Sequence, residues 1–190
     1  MRDYLAHEVR NVTVLGHSGA GKTGVLEAML YFTKASDRFG KTSEGSSLID
    51  YDPEEIKRGI TVYSTIVPIE WRDTKINFID TPGYLDFIGE AESGLAAGDN
   101  ALIVVGAKEG VQSGTQTAWE AAQSRKLPTI FFINKLDEEH ASFKKTYEGL
   151  REAFGKTVIP FEVPIVENGE VVGSINILRD KAWYFKGEKA

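Results

Sequence analysis

An α/β fold, with a mostly parallel sheet covered by helices on both faces and one antiparallel strand at its edge, is the architecture this sequence predicts. Three observations carry it. The continuous apolar runs ALIVV at 101–105 and PTIFFI at 128–133 read as strands buried on both faces. Stripes of apolar residues at helical spacing alternate with those runs. Near the middle, two β-rich segments meet at WRDTK, where Arg72, Asp73 and Thr74 suit a tight hairpin turn.

The elements follow in order. Val12 and Val14 lie on one side of a first strand that runs into a glycine-rich segment from Gly16. After Lys22 the spacing becomes helical, with Leu26, Met29, Leu30 and Thr33 on one face. Residues 34–58 are polar and aperiodic, and a loop of that length inside a compact domain is commonly functional. Strands are expected over 61–70 and 75–80, then a helix carrying Ile88, Ala91 and Leu95. A helix near 113–126 presents Ala118, Trp119 and Ala122, and Pro128 opens the next strand, where no ladder donor is lost. Phe143, Tyr147, Leu150 and Phe154 make a last helical stripe. The tail changes character: its two β-rich runs flank Glu167-Asn168-Gly169, and Asn-Gly is a strong hairpin signal.

Composition narrows the function classes. With 190 residues, 42% hydrophobic and 26% charged, the chain is a globular domain with a sizeable core. A net charge of −6 and a pI near 5.2 argue against a basic face that grips nucleic acid. No apolar run reaches the ~18 residues of a membrane helix, and MRDYLAHEVR lacks the pattern of a secretory signal. The absence of cysteine removes disulfides and thiolate chemistry and fits a reducing, cytoplasmic setting. His7, His17 and His140 have no metal-ligand spacing. Trp71, Trp119 and Trp183 read as packing residues rather than a stacking platform.

Gly16-His17-Ser18-Gly19-Ala20-Gly21-Lys22-Thr23 satisfies the phosphate-loop pattern G-x-x-x-x-G-K-[ST] between a strand and a helix. Glycines let successive backbone N–H groups converge on phosphate oxygens, and the helix start adds its positive dipole end. Lys22 is placed to neutralise the outer phosphates, and the Thr23 hydroxyl to ligate Mg²⁺. Gly24 follows at the start of the helix. A plain glycine-rich turn with a surface Lys-Thr is the competing explanation, and the flanking elements favour nucleotide.

Asn134-Lys135-Leu136-Asp137 follows the second buried strand at its carboxyl end, where α/β folds place ligands. The Asp137 carboxylate can accept from guanine N1–H and the 2-amino group, which adenine lacks. Asn134 can tie this loop back to the phosphate loop, and the Lys135 stem can lie on the base. Alternatively, Asp137 simply caps a helix over 138–153. Asp80-Thr81-Pro82-Gly83 closes a strand: Asp80 would hold Mg²⁺ through water, and Gly83 could bring its N–H to a γ-phosphate. A Pro-Gly turn explains the same letters. Thr61, in Arg58-Gly59-Ile60-Thr61, could complete the metal shell when the γ-phosphate is present and let go afterwards, or could merely open a strand.

These motifs in this order resemble the G domain of a translational GTPase of the elongation factor G family, within the P-loop NTPase fold. GHSGAGKT, IDYDPEEIKRGITV, DTPGYLDFIGE and NKLD carry the resemblance from about residue 9 to at least 166, and DTPGY points to the elongation-factor-G-like subgroup. The resemblance implies a GTP-binding domain over 9–156, with one switch at about 34–61 and a second at about 80–95. It implies GTP and GDP as ligands, Mg²⁺ as cofactor, the ribosome as partner, a monomer, and no membrane or sequence-specific nucleic acid. Hydrolysis of GTP to GDP and phosphate is expected to be slow without the ribosome; a binding switch with little hydrolysis is the alternative. Lys22, Thr61 and Tyr84 are the expected catalytic residues.

Two departures stand out. The family usually has His directly after D-T-P-G, where this chain has Tyr84; a phenol with a reference pKa near 10 does not titrate as imidazole does. It usually has an apolar residue and then Asp inside the phosphate loop, where this chain has Ser18 and Gly19. The family's Ser-Ala element that contacts guanine has no counterpart after Asp137. Residues 157–190 resemble the start of the β-rich subdomain inserted before that element. The expectation is therefore a piece of a longer factor, its G domain incomplete, with a sheet edge left open.

Overall fold

A computed structural model describes residues 3–185; the last five residues of the expected inserted subdomain lie outside the described residues. The chain divides into two units, one of residues 1–105 and 112–132, the other of 106–111 and 133–190.

The first unit is built on strands β1 (Val9–Leu15), β2 (Thr65–Trp71), β3 (Thr74–Asp80), β4 (Asn100–Gly106) and β5 (Thr129–Asn134), in the spatial order β2-β3-β1-β4-β5. Strand β1 pairs in parallel with β3 on one side and β4 on the other. Strand β2 is antiparallel to β3 at one edge, as expected of the hairpin, and Arg72 takes a left-handed conformation in its two-residue turn. At the other edge β5 leaves Ile130 49% and Phe132 40% exposed.

The two-residue period of the strands sends side chains to both faces. On one face Val14, Phe78, Leu102 and Val104 join Val25, Leu26 and Leu30 of α1 (Lys22–Phe32) in the main core. On the other, α2 (Ile88–Ala97) approaches so closely at Gly94 that an added Cβ would meet the Thr13, Ile79 and Thr81 side chains. Helix α3 (Ser113–Ser124) lies beside α2, and its Trp119 stacks on Phe131 of β5 with ring centroids 5.3 Å apart.

Several expected boundaries move. Residues 61–64 stay outside β2, because their amides have other partners: Val62 and Tyr63 donate to Glu55 Oε1 at 2.9 and 3.1 Å, and Ser64 donates to Glu90 Oε2 at 2.7 Å. The polar stretch 34–58 also holds regular structure, a short helix over Pro53–Arg58. Asp52 caps it, Pro53 sits in its first turn, and Glu55 reaches back to the Asp52 amide in a capping box.

In the second unit, α4 (Phe143–Phe154) begins later than the alternative reading of Asp137 requires. Its cap is Ser142, whose hydroxyl accepts from the Lys145 amide at 3.3 Å, so Asp137 is not a helix cap. The tail forms an antiparallel sheet of β6 (Glu162–Glu167), β7 (Glu170–Asn176) and β8 (Lys181–Tyr184). Asn168 and Gly169 both have positive φ, 52° and 85°, the conformation that two-residue hairpin turns demand.

Candidate phosphate and metal site

Strand β1 ends at Leu15 and the chain enters the loop 16–21, whose exit, Gly21, stands at the head of α1. The first-turn N–H groups of that helix have no intrahelical acceptor, so the loop and helix together offer a concave set of donors. Lys22 is buried and folds back over the loop, its ammonium donating to the Gly16 and His17 carbonyls at 3.2 and 3.3 Å. The His17 ring accepts at Nδ1 from the Gly114 amide at 3.2 Å, which ties the loop to the start of α3.

Strand β3 runs alongside β1 and delivers Asp80, with Thr81, Pro82 and Gly83 behind it. A side chain at Gly83 would collide with the Lys22 ammonium and come within 2.7 Å of the Ser18 amide. Glycine is therefore required there for the two loops to meet. The Thr23 hydroxyl donates to Asp80 Oδ2 at 2.7 Å and lies 3.1 Å from the Thr61 hydroxyl. Sequence residues 57 and 38 positions apart thus converge, and Lys22, Thr23, Thr61, Asp80 and Gly83 form one cluster with the phosphate loop.

Electrostatics mark the same spot. Asp80 is fully buried, and burial pushes its carboxyl up to about 7 against the pull of the Thr23 hydroxyl and the Lys22 ammonium. Its Oδ1 has no hydrogen-bond partner, the one such buried side-chain atom among the described residues. Burial likewise holds the Lys22 ammonium below the usual lysine range, opposed by Asp80 and Asp50. For both groups burial outweighs these partners, so the compensation a buried ion needs is incomplete. An anion over Lys22 and a hard cation at Asp80 would supply it. Among the described residues no group of three or more His, Cys, Asp or Glu could hold a metal by itself. A single carboxylate with two hydroxyls suits Mg²⁺, which binds few protein ligands and keeps water and phosphate oxygens.

Asp50 stands in the segment IDYDPEEIKRGITV, but no role in the site was expected of it. It is buried, its Oδ1 accepts from the Thr61 hydroxyl at 3.0 Å, and burial raises its carboxyl. Its partner lies 11 residues on, across the short helix, so no local pattern announced it.

Tyr84 is 43% exposed, and it lines an apolar groove with Leu15, Pro82, Ile88, Leu95 and Ala118 between α2 and α3. Its backbone carbonyl accepts from the Phe87 amide at 3.1 Å.

Asn134, Lys135 and Asp137, the residues expected to read the base, belong to the second unit and lie in a turn of their own. Asn134 ends β5 and its carbonyl accepts from the Ala107 amide at 2.8 Å. Lys135 adopts φ 60°, and its ammonium pairs with Glu138 at 2.9 Å rather than lying free. Asp137 is exposed, with its carboxylate open to a ligand.

The chain is similar to known proteins over nearly its whole length. Residues 7–182 match the family model described as the elongation factor Tu GTP binding domain. Ribosome-releasing factor 2, mitochondrial, of Anopheles gambiae is 37% identical over 182 residues, covering 95% of this chain and 25% of that protein. Elongation factor G of Mycoplasma pneumoniae is 33% identical over 180 residues, covering 95% and 26%. A crystal structure from Thermus thermophilus superimposes with a TM-score of 0.89 at 37% identity, covering 94% of this chain and 27% of that one. The chain thus spans about a quarter of the length of the relatives it matches.

Proposed function

This chain belongs to the elongation factor Tu GTP-binding domain family, and on that premise we propose that it binds GTP with Mg²⁺ and hydrolyses it to GDP and phosphate. It would do so as part of an elongation-factor-G-like protein working on the ribosome. The observation that carries the proposal is the convergence of Thr61 on Thr23 and of Thr23 on Asp80, whose second carboxylate oxygen is buried without a partner and whose charge is felt by Lys22.

Each residue has a task in that scheme. Gly16, His17, Ser18, Gly19, Ala20, Gly21 and Gly24 shape a bed of backbone donors for the phosphates. Lys22 neutralises charge on the outer phosphates and, as that charge shifts to the leaving oxygen, stabilises it. Thr23, Thr61 and Asp80 would hold Mg²⁺, which supplies positive charge between the phosphates. Gly83 offers its amide to the γ-phosphate. Asn134, Lys135 and Asp137 read guanine, with Asp137 accepting from the two donors adenine lacks. Tyr84 stands where a water-positioning residue is needed, and its phenol can donate to or accept from water without serving as a base near neutrality.

No helix among the described residues is long and apolar enough to cross a membrane. The proposal takes the protein as a monomer in the cytoplasm, without direct sequence-specific contact to nucleic acid. A second reading, a GTP-dependent binding switch with little chemistry, is favoured by Tyr84 facing an apolar groove. Phosphate release from GTP, measured with and without ribosomes and with ATP as competitor, separates them. Ribosome-stimulated release resistant to excess ATP supports the hydrolase. GTP binding without stimulated release supports the switch, and displacement by ATP contradicts both.

A further inference from the structure

Glu27 is fully buried on α1, four residues beyond Thr23 and therefore one helical turn along the same face. Its carboxylate is satisfied by the polar loop. Oε1 accepts from the Ser47 hydroxyl at 2.7 Å and from the Leu48 and Ile49 amides at 2.6 and 3.3 Å. Oε2 accepts from the Gly40 amide at 3.2 Å. The fit is close enough that a Cβ at Gly40 would come within 2.6 Å of Oε2 and 2.9 Å of the Ser46 carbonyl.

The same loop leads back to the metal site. The Ser47 hydroxyl that donates to Glu27 also accepts from the Asp50 amide at 3.1 Å. Asp50 then takes the Thr61 hydroxyl, and Thr61 lies 3.1 Å from Thr23 at the head of α1. Glu27, Ser47, Asp50, Thr61 and Thr23 thus close a ring that begins and ends on one helix. A buried carboxylate stripped of its donors is costly, so the loop cannot leave without stranding the Glu27 charge. Equally, without that charge the loop loses the acceptor of its Gly40 and Leu48 amides and of the Ser47 hydroxyl, while the Ile49 amide keeps the Ser47 oxygen at 3.1 Å.

We infer that Glu27 is a positioning residue for the triphosphate-bound state: it touches no nucleotide, but its carboxylate gathers residues 40–49 so that Asp50 can present Thr61 to the metal site. The inference rests on the GTP reading and deepens it. Gly16–Thr23 alone would serve GDP, whereas Thr61 is the residue through which the loop answers to a third phosphate. Glu27 therefore biases the protein toward GTP over GDP.

The test uses the full chain with Mg²⁺, a fluorescent GDP and a fluorescent non-hydrolysable GTP analogue, with tryptic cleavage at Lys41 as the measure of loop order. Glu27→Gln should keep GDP affinity within about twofold and weaken the analogue about tenfold, the loss expected for hydrogen bonds to a charged acceptor. The analogue should also stop protecting Lys41 in the variant. Ser47→Ala should move both readouts in the same direction by less, and it decides the matter if Glu27→Gln does not fold. Equal loss for both nucleotides would mean that Glu27 only supports α1, and unchanged protection would mean that the loop does not depend on it; either overturns the inference. Wild-type protein that binds neither nucleotide contradicts the GTP reading itself, an outcome distinct from those two.

Discussion

The Thr23 hydroxyl and the Asp80 carboxylate, 57 residues apart in the chain, meet at 2.7 Å and leave the other Asp80 oxygen buried without a partner. The bond joins the first helix to the end of β3, the two elements that a nucleotide-dependent switch must couple. Under the proposed function, that unpaired oxygen would face the cation.

A pH dependence follows from Asp80 in the nucleotide- and metal-free chain. Burial raises its carboxyl to about 7, whereas in the unfolded chain it ionises in the usual carboxylate range. Between those values the folded state holds a proton that the unfolded state has lost, so stability falls as pH rises from about 4 to about 7. The loss is of the order of 4 kcal/mol at most, and Asp80→Asn should flatten the profile. Urea unfolding of both proteins from pH 5 to 8 checks it; parallel profiles would assign the titration elsewhere.

Asp137→Asn should exchange the base preference. An amide donates where the carboxylate accepted, so guanine loses about 100-fold in affinity while xanthine gains. Competition between GTP and XTP reads the change. An unaltered preference removes Asp137 from the base site.

Tyr84→His should raise ribosome-stimulated phosphate release by about 100-fold, the lower end of what a positioned acid–base group contributes, because imidazole titrates near neutrality and phenol does not. Tyr84→Phe separates the phenol from the ring: it should preserve the aromatic lining of the groove while losing any contact to water. Turnover in the wild type that equals or exceeds that of the Tyr84→His variant would sink the expectation.

How much of this was legible in the residues depends on range. The phosphate loop, the Arg72 turn and the Asn168-Gly169 turn are local patterns, and each forms where its letters stand. The helix Pro53–Arg58 was equally local, an Asp-Pro-Glu-Glu start with Glu55 positioned to cap, but the polarity of the surrounding loop obscured it. Strand β2 starts late because Glu55 and Glu90 take the amides of residues 62–64, a competition that propensity cannot register. Glu27 meets its loop partners 13 to 22 residues away, and Asp50 meets Thr61 11 residues away, distances no local pattern spans. The β8 strand exists by pairing with β7, and its four residues carry no alternation long enough to read alone.

Asp80, Thr23 and Thr61 are proposed to form a cation site that serves a triphosphate. Equilibrium binding of a fluorescent GTP analogue, with and without Mg²⁺, to the wild type, Asp80→Ala and Thr61→Ala tests it most directly. In the wild type Mg²⁺ should tighten binding by at least about tenfold, and both substitutions should remove most of that gain while sparing metal-free binding. Mg²⁺ enhancement of the same size in all three proteins would contradict the account.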